Sequence, residues 1–315
     1  MSATMHDVAR RSGVSVATVS NVLRGTAPVA EETRRRVLEA IEELGYRTNE
    51  VARSLKLRAT QTVGVVMPDV LNPFHAAIAR RIERQAHRDG FAVVIAATDY
   101  DRDTEADQVR ALVRRRVDGV IFPAVTEGSA IPGELLDRGI PVVAVSFAAH
   151  DPRLGVVDID EYEAMARVVD HLAGLGHRRV AFAPAPMREE AIDRRPDALR
   201  AALAAHGLDQ VEMLDHPTAV CCNNDVTAME LIDTLERRGA TVPGSMSVVG
   251  FDDVPVAGHA RVGLTTVRQD AEEMGRIATE MLLEAIAAGR HPSRRVVLPT
   301  ELVVRTSTGP TPEAV

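Results

Sequence analysis

"TMHDVARRSGVSVATVSNVLRG", residues 4–25, divides into two short helices about a glycine turn. Thr4 and Asp7 stand at capping-box spacing, Val8 and Ala9 offer an inner face, and Gly13 permits the left-handed backbone that ends a helix. Ser15 is a natural N-cap for the second helix, whose inner residues Val19, Val22 and Leu23 keep helical spacing. A third helix is predicted from about Glu31 to Leu44. Val37, Leu38, Ile41 and Leu44 form its apolar stripe, Glu31 and Glu32 suit its positive end, and Gly45 stops it.

Three short helices, the first two joined by a glycine turn, describe either a helix-turn-helix unit or a plain three-helix bundle. The second helix favours the former. From Ser15 onward, Val16, Ala17, Thr18, Ser20 and Asn21 are small or polar and project outward near its start, where a recognition helix meets base edges. Small apolar groups there can touch thymine methyls, and Asn21 can pair bidentately with adenine.

The net charge of −8 taken alone argues against a nucleic-acid partner. The average conceals a local excess: residues 1–60 carry 10 Lys and Arg against 7 acids, a net of +3, leaving −11 for the remainder. The longest apolar runs, "FAVVIAAT" (91–98) and "IPVVAVSFAA" (140–149), are too short for a membrane span. The first residues bear charge where a signal peptide is apolar, so a cytoplasmic location is expected. Cys221 and Cys222, the two cysteines, are adjacent in a strand-like run, which suits buried, inert thiols and neither a disulfide framework nor a metal site.

Catalysis finds no candidate constellation. GxGxxG after the first strand, a P-loop, HExxH and GxSxG are all missing from the sequence. "HRDG" at 87–90 sits at a helix end without other kinase elements, and His171 and His177 are six apart, unsuited to a helical metal pair. No enzyme activity, metal or cofactor is expected.

From residue 61 short β-rich runs alternate with amphipathic helices. "TVGVVMP", "FAVVIAAT", "DGVIFPA" and "PVVAVSF" form one series; "RRVAFAP", "TAVCCNND" and "MSVVGFDD" form a second. Alternation of this kind calls for parallel sheets covered on both faces. Two doubly wound α/β lobes with a ligand cleft at the strand ends are the simplest architecture.

"DVARRSGVSVATVSNVL", "ETRRRVLEAIEELGYRTN" and "VARSLK" resemble the DNA-binding headpiece of the lactose-repressor (LacI) family, which includes the purine repressors. "VGVVMPDVLNPF", "VDGVIFPA", "LGHRRVAF", "PTAVCCNNDVTAM", "VPGSMSVVGFDDVP" and "LTTVRQ" continue the likeness into that family's effector domain, which is similar to periplasmic sugar-binding proteins. The resemblance implies a helix-turn-helix domain at 1–47, a hinge helix at 48–60 and an effector domain at 61–315. Lobe 1 would take about 61–159 and 269–296, and lobe 2 about 160–268 and 297–307.

In that family the hinge folds when two copies meet in the minor groove of DNA. An isolated helix as short as "NEVARSLKLRAT" (49–60) is marginal in water, so a partner must complete it. By position, Leu55 is the wedge that kinks the central base step. Asn49, Ala52 and Lys56 lie near it, and Arg53 and Arg58 are either phosphate contacts or solvated charge. Thr48 stands where the family usually has proline.

For the pocket, the resemblance implies Asp252 as acceptor of ligand hydroxyls, Arg195 as a forked donor, Phe74 and Phe147 as aromatic walls, and Asn72 and Asp160 on neighbouring loops. Alternatives stay open: Phe74 as core, and Asp252 or Asp160 as helix caps. Two departures are visible. Asp160-Glu161 replaces the usual Asp-Asn. "AAHGLDQVEMLDHPTAV" (204–220) links helix to strand in about ten residues where family members insert a strand and a helix, so the second lobe is expected to be one βα unit short, without an edge strand. The tail "TSTGPTPEAV" (306–315) is expected to fray.

The function implied is that of a homodimeric transcriptional regulator, a repressor. It would bind a near-palindromic operator under control of a sugar-like or nucleoside-like effector. The alternative is a cytoplasmic small-molecule binding protein whose shortened lobe no longer couples ligand to DNA.

Overall fold

The computed structural model describes residues 3–24, 28–46, 59–124, 129–145, 151–184 and 194–312. The chain forms two compact units, residues 1–60 and 61–315.

The first unit is built from α1 (Met5–Ser12), α2 (Val16–Arg24) and α3 (Glu31–Leu44). Its capping box is closed: the Thr4 hydroxyl accepts the Asp7 N–H at 3.3 Å, and the Asp7 carboxylate accepts the Thr4 N–H at 3.0 Å. Gly13 takes φ +68°, which ends α1, and Ser15 Oγ accepts the Thr18 N–H at 3.1 Å to start α2. Val8, Ala9, Val19, Val37 and Ala40 form the buried core, with Val16, Val22, Leu23, Ile41 and Leu44 packed around it.

Two details differ from the sequence reading. Leu38 is 48% exposed, because Val37 points at the core centre and the next residue is turned about 100° away. The buried face therefore runs Val37, Ala40, Ile41, Leu44. Val16, expected to project outward, is half-buried against the core.

The second unit holds two six-stranded sheets. The first contains β1 (Thr62–Met67), β2 (Ala92–Ala97), β3 (Gly119–Phe122), β4 (Val142–Val145), β5 (Gly155–Ile159) and β11 (Arg295–Leu298) in the order β11-β5-β4-β3-β1-β2. All its pairings are parallel. Helices α4 (Pro73–Arg88), α5 (Arg102–Arg114), α6 (Ile131–Asp137) and α10 (Ala271–Ala288) accompany it. Their cover explains why β3, β4 and β5 are buried at every residue and read as continuous apolar runs.

The second sheet contains β6 (Arg179–Ala183), β7 (Asp209–Gln210), β8 (Ala219–Cys222), β9 (Ser247–Asp252), β10 (Thr265–Arg268) and β12 (Glu301–Val303), ordered β12-β10-β9-β8-β6-β7. Only β12 runs antiparallel among these pairs. Helices α7 (Glu161–Gly174), α8 (Arg195–Ala205) and α9 (Asp225–Arg237) belong to this half. The chain passes from the first sheet to the second after β5, returns after β10 to lay α10 against β3, β4 and β5, and leaves again after β11.

Residues 204–220 depart from the expectation of a lost edge strand. Asp209 and Gln210 supply β7, paired in parallel with Arg179 and Val180, so the edge position is filled in two-residue form. The segment after it is a single 3-10 turn, Met213–Asp215, on which Leu214 is almost fully exposed.

Residues 306–312 of the tail depart from the expectation of fraying; 313–315 lie outside the described residues. Residues 305–312 are held by distant partners: Ser307 Oγ donates to the Val248 carbonyl at 2.6 Å, and His177 Nε2 donates to the Gly309 carbonyl at 3.0 Å. Cys221 and Cys222 are buried, and burial pushes both thiols up, Cys221 to about 12. Both are inert at neutral pH.

Candidate functional site

In the first unit the candidate residues cluster at the start of α2. Ala17 is exposed, Ser15 and Thr18 hydroxyls lie 2.9 Å apart, and Ser20 and Asn21 are half-buried. Ser15 thus serves as N-cap, and Ser15 and Ala17 are the exposed side chains of the set. The first turn of α2 carries no acidic residue, so its positive end is not neutralised from within. Acids elsewhere in this unit are paired: Glu32 and Glu39 with Arg35 (2.7 and 2.9 Å) and Glu43 with Arg11 (2.6 Å). Asn49, Ala52, Arg53, Leu55 and Lys56 lie outside the described residues, as does Phe147.

In the second unit, the candidate residues lie at strand ends and in the loops that follow them in the two sheets. On the first-sheet side, Asn72 caps α4 by accepting the Phe74 N–H at 2.9 Å. Phe74 is part of the core, as its alternative reading had it. His75 is buried beside it, with ring centroids 6.0 Å apart, and burial pushes its pKa down to about 4. His75 is neutral at pH 7. Burial and the nearby charge of Asp69 push the Tyr100 phenol up to about 12.

On the second-sheet side, Arg195 opens α8 and places its guanidinium 4.9 Å from the centre of the Phe251 ring, a cation–π contact. Its Nη1 donates to the Asn223 carbonyl at 2.5 Å. Asp252 ends β9, is buried, and accepts from Gln269 Nε2 at 2.8 Å. Asp252 and Asp253 have φ +113° and +56°, a backbone that non-glycine residues adopt at a cost.

Their neighbours hold that turn. Asp253 accepts from Arg268 at 2.7 Å and Arg305 at 2.6 Å. Asp225, fully buried, accepts the Val254 N–H at 2.8 Å and the Thr266 hydroxyl at 2.5 Å, and burial pushes its carboxyl up to about 6. A Cβ on Gly250 would lie 2.2 Å from Asp225 Oδ1, which requires glycine at that place in β9.

The charge of Arg195 is felt at His75 and Tyr100, and that of Asp252 at Tyr100, which sets these side chains of the two halves in one neighbourhood. Asp160 is elsewhere in role: it is exposed and caps α7, accepting the Glu163 N–H at 3.0 Å. Four cleft residues escaped the sequence reading as candidates: His75, Tyr100, Asn223 and Gln269. Asn223 and Gln269 lay inside the quoted runs "PTAVCCNNDVTAM" and "LTTVRQ", whereas nothing local marked Tyr100.

Chemically the cleft offers a carboxylate acceptor, a guanidinium donor, an amide and neutral polar rings. That set suits binding a polar molecule of low net charge. Among the described residues no group of three or more His, Cys, Asp or Glu is arranged to hold a metal ion, and no helix is long and apolar enough to cross a membrane.

Comparison with known proteins agrees with both units. Residues 4–49 match the model for bacterial regulatory proteins of the lacI family. Residues 60–215 match periplasmic binding proteins and the sugar-binding domain of the LacI family, and residues 169–308 match a periplasmic binding protein-like domain. The HTH-type transcriptional repressor PurR of Photobacterium profundum is 30% identical, over 97% of this chain and 98% of its own.

Among solved structures, the regulator CelR in complex with cellobiose is 29% identical, with a TM-score of 0.70, covering 97% of this chain and 99% of that one. The Lac repressor dimer bound to operator and an anti-inducer shares the fold at a TM-score of 0.84, with 24% identity and coverage of 98% and 100%.

Proposed function

Because the chain belongs to the LacI family, we propose that it is a transcriptional repressor whose dimer binds a near-palindromic DNA operator, and that a small molecule in the cleft of the second unit sets its affinity for that operator. One observation carries the reading. A single chain joins a capped helix-turn-helix unit, with small side chains at the start of its second helix, to a two-sheet unit with a polar, partly strained cleft.

The roles divide by unit. Ala17, Thr18, Ser20 and Asn21 meet base edges in the major groove; Ser15 organises them as N-cap and adds a contact at the helix start. Val16 supports the helix from its half-buried position and touches bases through one methyl. Asn49, Ala52, Arg53, Leu55 and Lys56 form the hinge, with Leu55 the wedge in the minor groove. In the cleft, Asp252 and Arg195 hold ligand hydroxyls, Phe147 bounds the apolar side and Asn72 sets the loop before α4, while Phe74 backs the site from the core and Asp160 caps α7. The protein acts by binding and not by catalysis, in the cytoplasm. The effector needs only a different affinity for two lobe arrangements to shift operator occupancy.

The relatives support this: PurR is named a repressor, the CelR structure holds cellobiose, and the Lac repressor structure holds an operator. Binding to DNA from the upstream region of its own gene, followed by fluorescence anisotropy over a salt series, tests it. A steep fall of affinity with salt and a shift on adding sugar are expected; salt-independent binding, or none, would refute it.

A further inference from the structure

Strand β5 is buried at every residue, so Asp158 sets a carboxylate inside an otherwise apolar strand. A charge so buried is tolerated only when it is paired and hydrogen-bonded. Within its own sheet the partner is Arg295. Asp158 lies opposite Val297 of β11, and Arg295 stands two places before Val297, so both side chains project from one face and the guanidinium donates to the carboxylate.

That pair is already neutral, yet a second arginine reaches in from the other half of the unit. Arg194, the N-cap of α8, donates through Nη2 to both oxygens of Asp158, at 2.9 and 3.1 Å, and to Glu161 Oε1 at 2.7 Å. One guanidinium nitrogen carries two hydrogens, so Nη2 divides them between an acid of β5 in the first half and the acid that opens α7 in the second. Neutralising Asp158 does not require this. The cluster closes around the chain's first crossover, and β11, which carries Arg295, leads into the last.

The two arginines differ in what their contacts depend on. Asp158 and Arg295 belong to neighbouring strands of one sheet and move together. Arg194 is carried by α8, which packs on α7, so any rotation of one half against the other changes its distance from Asp158. Hydrogen bonds between charged groups are short and directional, and such a rotation strains them at once. The adjoining Arg195 points elsewhere, as consecutive residues of a helix do, to the Phe251 ring and the Asn223 carbonyl. One turn of helix thus carries both the arginine of the cleft and the arginine of the cluster.

We propose that Arg194 is a tie between the two halves: by holding Asp158 and Glu161 at once, it fixes the rotation of one sheet against the other in the unliganded protein. It is a positioning residue, acting through α8 and needing no contact with a ligand. The tie goes beyond the reading of the cleft as an effector site and does not depend on it. A molecule that draws on Arg195 works with or against the tie, because moving one arginine moves the other.

Double electron-electron resonance on the full-length protein tests this, with spin labels at Asp103→Cys on α5 and Glu236→Cys on α9, both exposed and one in each half. Cys221 and Cys222 are buried and unreactive, and stay in place. Labelled chains are diluted with unlabelled protein, which keeps distances between copies out of the signal. The decisive comparison is Arg194→Gln with Arg295→Gln. Each takes one arginine from Asp158, but only the first removes a contact between the halves.

Wild type should give one narrow distance. Arg194→Gln should broaden it about twofold or add a second population, while Arg295→Gln keeps the wild-type distribution. Glu161→Gln, which weakens the tie at its other end, should broaden it in the same sense and replaces Arg194→Gln in the comparison should that variant not fold. A wild-type distribution in both Arg194→Gln and Glu161→Gln would overturn the proposal, since the cluster would then only stabilise the fold. Equal broadening by Arg194→Gln and Arg295→Gln would overturn it as well, as would a broad distribution in wild type itself.

Discussion

Arg194, at the N-terminus of α8 in the second lobe, donates to both oxygens of Asp158, 2.9 and 3.1 Å away, at the end of the first lobe's sheet. Asp158 is fully buried and also accepts from Arg295 of β11; Arg194 in turn reaches Glu161 Oε1 at 2.7 Å. An ion cluster thus stands where the chain first crosses between lobes. Glu161 is a member of it, and burial raises its carboxyl despite Arg194.

Removing the buried member should be costly, because it strands two guanidinium groups around a cavity. Asp158→Ala is expected to lose about 3–5 kcal/mol of stability in urea denaturation. Arg194→Ala should lose less, since Arg295 still pairs Asp158. An Asp158→Ala loss below about 1 kcal/mol would show that solvent already screens the cluster.

Stability should depend on pH through two buried groups of opposite sign. His75 is held neutral, with a pKa near 4 against 6.5 when exposed, so the stability linked to it is full above pH 6.5 and declines as pH falls towards 4. Asp225 is raised from 3.8 to about 6, so its contribution is full below pH 3.8 and is lost as pH rises through 6. His75→Gln should flatten the acid-side decline and Asp225→Asn the opposing slope. Denaturation midpoints between pH 4.5 and 7.5 check both, and a His75→Gln profile parallel to wild type contradicts the first.

Asn21→Ala should relax base preference within each half-site while sparing non-specific binding. A loss of about 1–3 kcal/mol on the preferred sequence is expected, measured by competition among single-base variants. A uniform loss over all sequences would assign Asn21 to phosphate contact or to helix packing.

Asp252→Ala should abolish the effector response and leave operator affinity without effector within about twofold. The variant also removes the partner of Gln269, so its melting temperature must be followed alongside. A normal response to the effector would move the ligand elsewhere.

The legible part of this molecule is its local part. Thr4, Asp7 and Gly13 announce α1 because caps are written within four residues, and the Val-rich strands show themselves because both faces are buried. Leu38 misled because one residue's step around a helix separates core from solvent, and Ala40, the true core position, is too small to stand out. Asp160 suited a pocket loop and a helix cap equally, and the structure uses it as a cap.

Longer-range features left no local trace. The tail's polar composition suggested fraying, yet its partners Val248, His177 and Ser247 lie at least 59 residues away. Gln269 closed a recognised run, but its pairing with Asp252 depends on two strands becoming neighbours in the sheet.

Selection of the full-length protein against random duplex DNA at moderate salt, with sequencing of the retained fraction, tests the central claim most directly. The account predicts a near-palindromic site with a deformable central step, enriched by wild type and lost in Leu55→Ala. Enrichment of no sequence, with or without added cell metabolites, would contradict it.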